Sequence, residues 1–575
     1  MIQVAGKKLF LVLTMTLVVA LFTFAATYPA ASEYGPGIVN WGPNVKSGGT
    51  LVLAEGQGTE MPSNLNPLSP FPLQVTPLIY EPLFYVNTAN GEVTDLLGTN
   101  YKWTDNNLEL VITTRSNVKW SDGKSFSASD VAFTFNLLKT YPALDRSGIW
   151  SKVSGLQSVE ASGTNTVIFN FSKPNVPQFY YIAMQPIVPE HIWKDIKNPA
   201  TYTNPNPVGT GAFLFESYTP SNGNEVVVKN PNYWMTGRPY IDELVIKSLL
   251  TNQSAFLELL KGDAQWGEFY APDPQTTWIA KDPEHNKIWW PAEGSNALFF
   301  NTQIYPFNSA TFRKAIDLAI NKKNLEDKAY FGAGGYNVNP TAIIPSQQSE
   351  WLDPTLTALA SSLNTYNPAE AQKMLASIGF VKNSSGQLVG PDGNVLPPLK
   401  LSVVSGWTDF ITMADVMSSE LQSIGFNVVV DQETYNSFIS SLMSGTYQMA
   451  LWGLNGPAPY YIYYSNFNPT LSATKIGETA ISDYTRYTNP LITAALSTYA
   501  QTTNLSLQKQ AMYTIERIIL EEMPFVTLTN STGFQFFNTK EFTGFPSNDN
   551  IYSASGSLEP GSYDGYIEAL NIHLK

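Results

Sequence analysis

Cysteine is absent from the 575-residue chain, and histidine occurs at three widely separated positions, His191, His285 and His573. The lack of cysteine excludes a disulfide framework, a thiolate metal site, a cysteine nucleophile and a lipid-modified cysteine as a membrane tether. None of the histidines belongs to an HExxH or comparable ligand pattern. We therefore expect neither a metal site nor a haem group, and no cofactor is predicted.

Basic residues are also scarce. The 33 Lys and Arg residues are outnumbered by 47 Asp and Glu residues, which gives a net charge of -14, and the basic residues form no cluster or run. Nucleic acids and anionic lipids are bound through groups of basic side chains that neutralise phosphates. The sequence therefore argues against both as partners.

Long apolar runs are missing except at the N-terminus. Lys7 and Lys8 precede an apolar and hydroxyl run over residues 9–26, a pattern typical of an export signal, and small residues near Ala31 indicate cleavage there. The run is long for a signal, so an uncleaved N-terminal membrane anchor is the alternative. Elsewhere no run approaches the about 18 apolar residues of a spanning helix. We expect an exported chain, periplasmic or extracellular, that is soluble after residue 31.

The remaining composition is that of a large folded protein. Apolar residues make up 43% of the chain, and aromatic residues at 13% nearly equal charged residues at 14%. At about 150 residues per domain, the length predicts two or more domains. This high ratio of rings to charges suits both a large cleft for a neutral ligand and well-filled cores, and composition does not choose between them.

Helical and strand patterns alternate along the chain without an internal repeat, which favours mixed α/β lobes. The Gly- and Pro-rich residues 35–49 predict a flexible leading segment, and residues 127–130 (SASD) predict a helix cap. The clearest patterns predict strands at 50–54, 108–114, 225–228 and 244–246, helices at 131–138, 310–329 and 368–378, and a βαβ unit at 399–404, 414–424 and 427–430. In such a unit, ligands gather outside the carboxyl ends of the strands.

Residues 110–135 (LVITTRSNVKWSDGKSFSASDVAFTF) form a long and specific motif. They are similar to the signature of the peptide, nickel and oligosaccharide class of binding proteins that serve ATP-driven importers, extracellular solute-binding protein family 5. Further segments agree in the expected order: 207–213 (PVGTGAF), 230–234 (NPNYW), 299–302 (FFNT), 312–320 (FRKAIDLAI), 425–430 (GFNVVV) and 449–452 (MALW). The resemblance therefore spans nearly all of the chain after the signal.

This resemblance implies an α/β fold of the two-lobed periplasmic-binding-protein type (type II, cluster C-like), with an extra domain inserted in the first lobe. The implied division is a signal peptide at 1–31, a flexible leading segment at 32–49, lobe I at 50–75, 207–296 and 525–575, the extra domain at 76–206, and lobe II at 297–524. It also implies a monomer that encloses a small-molecule ligand by hinge closure and passes it to the permease of an ABC importer. Residues 121–124 (SDGK) fit the SxxK pattern of penicillin-binding enzymes, but they fall in a predicted turn and no KTG partner occurs, so we expect no enzyme.

The ligand class depends on residues 450–464 (ALWGLNGPAPYYIYY). In peptide-binding relatives, an Asp three residues after the Trp pairs with the ligand's α-ammonium, and here that position is Asn455, which carries no charge. Rings and amides suit the apolar faces and hydroxyl groups of a sugar. We therefore predict an oligosaccharide, with Trp452, Asn455, Tyr460 and Tyr461 as binding residues, and an ordinary core role as the alternative for any of the tyrosines.

Other candidates follow from their places beside predicted strands. Trp407 and Asp409 come after the strand at 399–404, although Asp409 equally suits the N-terminus of the following helix. Trp266 and Glu268 are candidates because they combine an aromatic ring with a carboxyl group, as Trp407 and Asp409 do. Core packing is the alternative for Trp266. Asn301 is a weaker candidate because turn duty explains it as well.

Two alternatives to an oligosaccharide carrier stay open. The first is an oligopeptide-binding protein of the same family. The second and more remote is a secreted glycoside hydrolase, which would need two carboxyl groups at a defined separation across a sugar site.

Overall fold

A computed structural model of the chain describes residues 31–56, 62–336, 339–556, 558 and 561–575. The predicted export signal lies outside these residues, apart from Ala31. None of the helices in the described part has the length and apolar character needed to cross a membrane.

Strands and helices alternate along the whole described chain. The strands are β1 (Ala31–Ser32), β2 (Gly35–Val39), β3 (Thr50–Gly56), β4 (Phe84–Val86), β5 (Val93–Asp95), β6 (Gly98–Thr104), β7 (Glu109–Thr114), β8 (Leu156–Ala161), β9 (Thr166–Phe171), β10 (Phe213–Thr219), β11 (Asn224–Lys229), β12 (Glu243–Leu249), β13 (Trp266–Glu268), β14 (Asn286–Trp289), β15 (Ala292–Phe300), β16 (Val381–Lys382), β17 (Leu388–Val389), β18 (Leu399–Val404), β19 (Val428–Glu433), β20 (Met449–Asn455), β21 (Phe525–Thr532), β22 (Gln535–Asn538), β23 (Phe542–Thr543) and β24 (His573–Leu574). The helices are α1 (Thr76–Ile79), α2 (Ala128–Thr140), α3 (Gln178–Ala183), α4 (Glu190–Trp193), α5 (Asn252–Lys261), α6 (Pro274–Thr277), α7 (Ala310–Leu318), α8 (Lys322–Ala329), α9 (Pro345–Trp351), α10 (Thr357–Leu363), α11 (Pro368–Ser377), α12 (Thr408–Ser423), α13 (Tyr435–Ser444), α14 (Pro459–Phe467), α15 (Pro490–Ala500), α16 (Leu505–Glu522) and α17 (Asp564–Asn571).

Lobe I is built on a seven-stranded sheet in the order β10-β11-β12-β3-β13-β22-β14. Its strands come from three separate stretches of the chain, and β3 lies in the middle, parallel to both β12 and β13. The carboxyl ends of β3 and β13, at Gly56 and Glu268, therefore meet at one edge of the sheet. That edge is where the parallel-sheet rule places a ligand.

Lobe II is built on a five-stranded sheet in the order β19-β18-β20-β15-β21. The predicted βαβ unit is present, because β18 and β19 pair in parallel and α12 connects them. Helix α12 begins at Thr408, six residues before the predicted start, so that Trp407 is its N-cap residue and Asp409 lies in its first turn. Helices cover both faces of the sheet, as parallel strands require.

The extra domain carries a four-stranded antiparallel sheet, β6-β7-β9-β8, with α2 packed on it. The predicted cap is confirmed as a capping box: Ser127 Oγ accepts a hydrogen bond from the Ser129 N–H over 3.3 Å, and the Ser127 N–H donates to Asp130 Oδ2 over 2.9 Å. Side chains of this domain and of lobe I pack into one continuous apolar cluster, including Leu110 and Phe135 from the former and Leu53 and Leu244 from the latter. The extra domain and lobe I therefore share one hydrophobic core.

Three sequence predictions differ from the structure. Residues 32–49 were predicted to be flexible, but part of this segment is packed into lobe I. Ile38 and Val39 are buried in its core, and the Val39 N–H donates to Asn571 Oδ1 over 2.9 Å. The predicted helix 310–329 is two helices, because the Asn321 side chain caps α8. The strand pairing also moves the expected crossings between the lobes from 296 and 524 to 290–291 and 533–534, since β15 and β21 pair within the second sheet. The remaining domain borders stay predictions.

The two crossings run side by side. Strands β15 and β21 pair antiparallel, and the Gly533 N–H donates to Pro291 O over 3.2 Å where both chains pass to lobe I. A side chain at residue 533 would be crowded, because its Cβ would lie 2.8 Å from Ser555 Cβ as well as 2.5 Å from Glu293 Oε1. The lobes are thus joined by a narrow paired connection.

The capping box makes a prediction for stability. The Ser127→Ala variant loses the side-chain acceptor at the N-terminus of α2, and we expect its free energy of unfolding to fall by about 1 kcal/mol. Urea denaturation followed by circular dichroism measures this change. Ser362→Ala, which removes an exposed hydroxyl group inside α10, is the matched control, and an equal loss in both variants would contradict the assignment.

Candidate functional site

A cavity of about 560 Å³ lies between the two lobes. We call it the main cavity. Lobe I contributes Gly56, Asn252 and residues 268–270, and lobe II contributes Asn296, Tyr330, residues 406–410, Trp452, Gly453 and Asn455; the end of β21 and the crossing after it contribute Ser531, Thr532 and Phe534. Its size falls in the range of about 300–1,000 Å³ that is usual for small-ligand sites.

Two tryptophans form one aromatic wall of the main cavity. Trp452 lies on β20, and Trp407 lies between β18 and α12 with 38% of its surface exposed. Their rings are stacked, with centroids 6.2 Å apart and an interplanar angle of 13°. Phe438 supports the Trp452 ring from below at 5.7 Å. The wall therefore presents flat, fixed ring faces to a ligand.

Asp409 lies in the first turn of α12, beside this wall. Its Oδ2 accepts a hydrogen bond from the Tyr330 hydroxyl over 3.1 Å, and that hydroxyl in turn accepts one from the Asn296 amide over 2.9 Å. Burial raises the pKa of the Asp409 carboxyl group above its ordinary value. The three side chains form a polar row in lobe II.

Glu268 faces the main cavity from lobe I as the last residue of β13. Burial, and then the nearby Glu55 carboxyl group, raise its pKa to about 8, although the Gly556 N–H donates to Oε2 over 3.3 Å. Glu268 therefore keeps its proton at neutral pH. In that state the group is uncharged and both donates and accepts hydrogen bonds.

Asn455 ends β20 at the rim of the main cavity, with its side chain exposed. It stands opposite Gly294 of the paired strand β15, where a Cβ would lie 1.9 Å from Asn455 Oδ1. The glycine is thus what leaves room for the amide. Sequence reasoning did not single out Gly294.

A second cavity of about 300 Å³ adjoins the same asparagine, and we call it the tyrosine chamber. Its lining residues are Thr88, Tyr180, Tyr181, Glu293, Asn455, Gly456, Pro457, Tyr461 and Ser465. The predicted residue Tyr461 lies here, not in the main cavity, and its hydroxyl donates to Pro177 O of the extra domain over 3.0 Å.

Three predicted residues are placed away from both cavities. Trp266 is fully buried in the core of lobe I, because it lies two residues deeper in β13 than Glu268. Tyr460 is buried on the core side of α14, stacked on Tyr499 at 4.4 Å. Asn301 is buried and donates to Gly445 O over 2.7 Å; β15 runs antiparallel to β20, so its carboxyl end points away from the main cavity. The structure therefore places all three outside the lining of both cavities.

Some cavity residues were missed by sequence reasoning. Tyr270 follows Glu268 by two residues and lies on the same wall, a spacing that could have suggested it. Tyr330 and Phe534 lie in connections after α8 and β21, where no periodic pattern marks them.

The described residues that line the site carry no positive charge. Of the residues that the structure describes, no Lys, Arg or His lines either cavity. The same part of the chain contains no group of three or more His, Asp and Glu that could hold a metal ion. The site offers rings, amides, hydroxyls and carboxyl groups, and no counter-charge for an anion.

Comparison with known sequences identifies relatives. The profile of the bacterial extracellular solute-binding proteins, family 5 (middle region), matches residues 92–473, more than half of the chain. A Brucella ovis protein provisionally named as an ABC transporter peptide-binding protein is 25% identical over 491 residues, which are 83% of this chain and 84% of the relative. The nickel-binding periplasmic protein of Escherichia coli K12 is 25% identical over 429 residues, 70% of this chain and 75% of that protein.

Solved structures share the fold. The periplasmic oligopeptide-binding protein of an oligopeptide ABC transporter from Thermotoga maritima has a TM-score of 0.80 at 24% identity, covering 92% of this chain and 99% of its own. A Thermotoga maritima structure of that description with bound mannohexaose has a TM-score of 0.73 at 25% identity, covering 92% and 98%. The predicted two-lobed fold class is confirmed. The chain belongs to family 5 of the bacterial extracellular solute-binding proteins, which bind the solute for ABC importers.

Proposed function

We propose that this protein captures an oligosaccharide between its lobes, as a β-linked gluco- or manno-oligosaccharide, and delivers it to the membrane permease. The observation that carries the proposal is the stacked pair Trp407 and Trp452 in a main cavity without any Lys, Arg or His from the described chain. Sugar rings have apolar C–H faces that pack on such indole rings. A mannohexaose-bound neighbour at 25% identity supports the same ligand class.

The polar groups of the main cavity suit hydroxyl groups. Glu268 holds its proton at neutral pH, so its carboxyl group can donate to a sugar oxygen and accept from a sugar hydroxyl. Asn252 and Asn455 contribute amides from opposite lobes. Neutral donors and acceptors of this kind pair with hydroxyl groups without the cost of burying a charge.

A peptide is the rival ligand, and the names of several relatives favour it. A zwitterionic peptide needs an anion for its α-ammonium group and a cation for its carboxylate. Asn455 supplies no anion, and no described basic residue lines the cavity to supply the cation. Asp409 is the group that would serve an ammonium ion, which keeps this alternative open to test.

The mechanism we propose is hinge closure without a covalent step. Glu268 and Tyr270 approach from lobe I, while Trp407 and Trp452 approach from lobe II, so a ligand that contacts both sets favours the closed form. The paired crossings at 290–291 and 533–534 are where the backbone would bend. Export by the N-terminal signal and action as a monomer complete the proposal.

A ligand screen tests the proposed class. Cello-, manno- and xylo-oligosaccharides are compared with short peptides by thermal shift, and we expect a sugar to raise the melting temperature. At a ligand concentration one hundred times Kd, the gain in unfolding free energy is about 2.7 kcal/mol. Stabilisation by peptides alone would overturn the oligosaccharide proposal, and release of shorter sugars during incubation would show a hydrolase instead.

The tryptophan wall makes a second prediction. We expect Trp452→Ala to weaken binding of the best oligosaccharide by about tenfold or more, equal to about 1.4 kcal/mol, because a stacking face is lost. Isothermal titration calorimetry measures the affinity. Trp351→Ala is the matched control, since Trp351 is half-buried in lobe II on α9 and lies outside the main cavity. Unchanged affinity in Trp452→Ala would contradict the stacking role.

Glu268 gives the binding a pH dependence. Its raised pKa means that the proton is present below about pH 8 and lost above it. We expect wild-type affinity to be level from pH 6 to pH 7 and then to fall by up to about tenfold per pH unit above pH 8, because ionisation removes the donor.

The Glu268→Gln variant separates this effect from others. It keeps a neutral donor and acceptor, so its affinity should stay level above pH 8, whereas Glu160→Gln, which removes an exposed carboxyl group on β8, should follow the wild type. A pH profile of Glu268→Gln identical to that of the wild type would assign the effect to another group.

A further inference from the structure

The tyrosine chamber lies where the extra domain faces lobe II. Tyr180 and Tyr181 come from α3 of the extra domain, and Tyr461 comes from α14 of lobe II. Their ring centroids are 5.1 Å apart for Tyr180 and Tyr461, and 6.0 Å apart for Tyr181 and Tyr461. An aromatic wall is therefore built from both sides of the cleft.

This wall is not closed by packing. Tyr180 and Tyr181 also line a further cavity of about 270 Å³ on the side of the extra domain, so open space lies on two sides of the pair. Burial raises the pKa of Tyr181 to about 12, yet among the described residues no hydrogen-bond partner reaches the hydroxyl of either tyrosine. Both tyrosines are only partly buried, and a hydroxyl group that faces a cavity without a protein partner is available to a ligand.

Asn455 connects the two binding spaces. Its side chain contributes to the walls of both the main cavity and the tyrosine chamber. The chamber repeats the chemistry of the main cavity, with rings beside an amide, the hydroxyl of Ser465 and the carboxyl group of Glu293. Like surfaces in succession suit a ligand made of like units.

We propose that the tyrosine chamber is a second subsite, which binds the distal units of an oligosaccharide whose first units occupy the main cavity. This inference rests on the proposed function and extends it to ligand length. The chain of sugars passes Asn455 and reaches the rings of Tyr180, Tyr181 and Tyr461. The extra domain thereby selects long ligands over short ones.

Calorimetry with mannobiose and mannohexaose tests the subsite on the full mature protein. We expect wild type to bind mannohexaose more tightly than mannobiose. Tyr181→Ala should weaken the binding of mannohexaose by about tenfold. Its affinity for mannobiose should stay within about twofold of the wild-type value, because the shorter ligand does not reach the chamber. Tyr181→Phe keeps the ring and should retain most of the affinity for mannohexaose.

The control variant is Tyr101→Ala. Tyr101 is an exposed ring of the same domain that stacks on Phe179 at 3.8 Å and lines neither cavity, so its loss reports destabilisation of the region around α3 alone. Equal losses for both sugar lengths in Tyr181→Ala, or no loss for either, would overturn the subsite while leaving the proposed function intact. Failure of the wild type to bind any manno- or cello-oligosaccharide would overturn both.

Discussion

The antiparallel pairing of β15 with β21 is the constraint on which the binding site depends. These strands carry the chain out of lobe I and back, and the Gly533 N–H bond to Pro291 O ties the two passages together. Asn296 on β15 and Phe534 after β21 both line the main cavity. The site is therefore assembled around the same short connection at which we propose that the backbone bends, which would link ligand contact to the position of the lobes.

The shared apolar core of lobe I and the extra domain gives that movement a second consequence. Because Leu53 and Leu110 belong to one buried cluster, the extra domain would move together with lobe I in the proposed closure. It meets lobe II at points distant in sequence from the crossings, where the Val176 N–H donates to Ala500 O over 2.8 Å. The proposed closure would therefore act at two interfaces, one at the main cavity and one between the extra domain and lobe II.

Local sequence patterns predicted the helices and strands well, but they predicted less well which side chains reach the cavity. The capping box at Ser127 and the βαβ unit follow from spacing alone, which is local information. Trp266 and Glu268 share one face of β13, as alternation requires, but the cavity begins only at the strand's end, about 6–7 Å beyond Trp266. Asn301 lies away from the main cavity because β15 runs antiparallel to β20, and strand direction is a property of the whole sheet. How far a residue lies from the cavity and which way a strand runs depend on the tertiary structure, and the periodicity of the sequence does not encode them.

The neighbouring carboxyl groups of Glu55 and Glu268 at the edge of the main cavity affect the heat that calorimetry would measure on ligand binding. With its pKa near 8, Glu268 exchanges a proton with the solvent whenever a ligand shifts that pKa. The buffer takes up or supplies this proton, and the heat of its own ionisation adds to the heat of binding. The enthalpy of solute capture will therefore differ between buffers of equal pH, even where the affinity is the same.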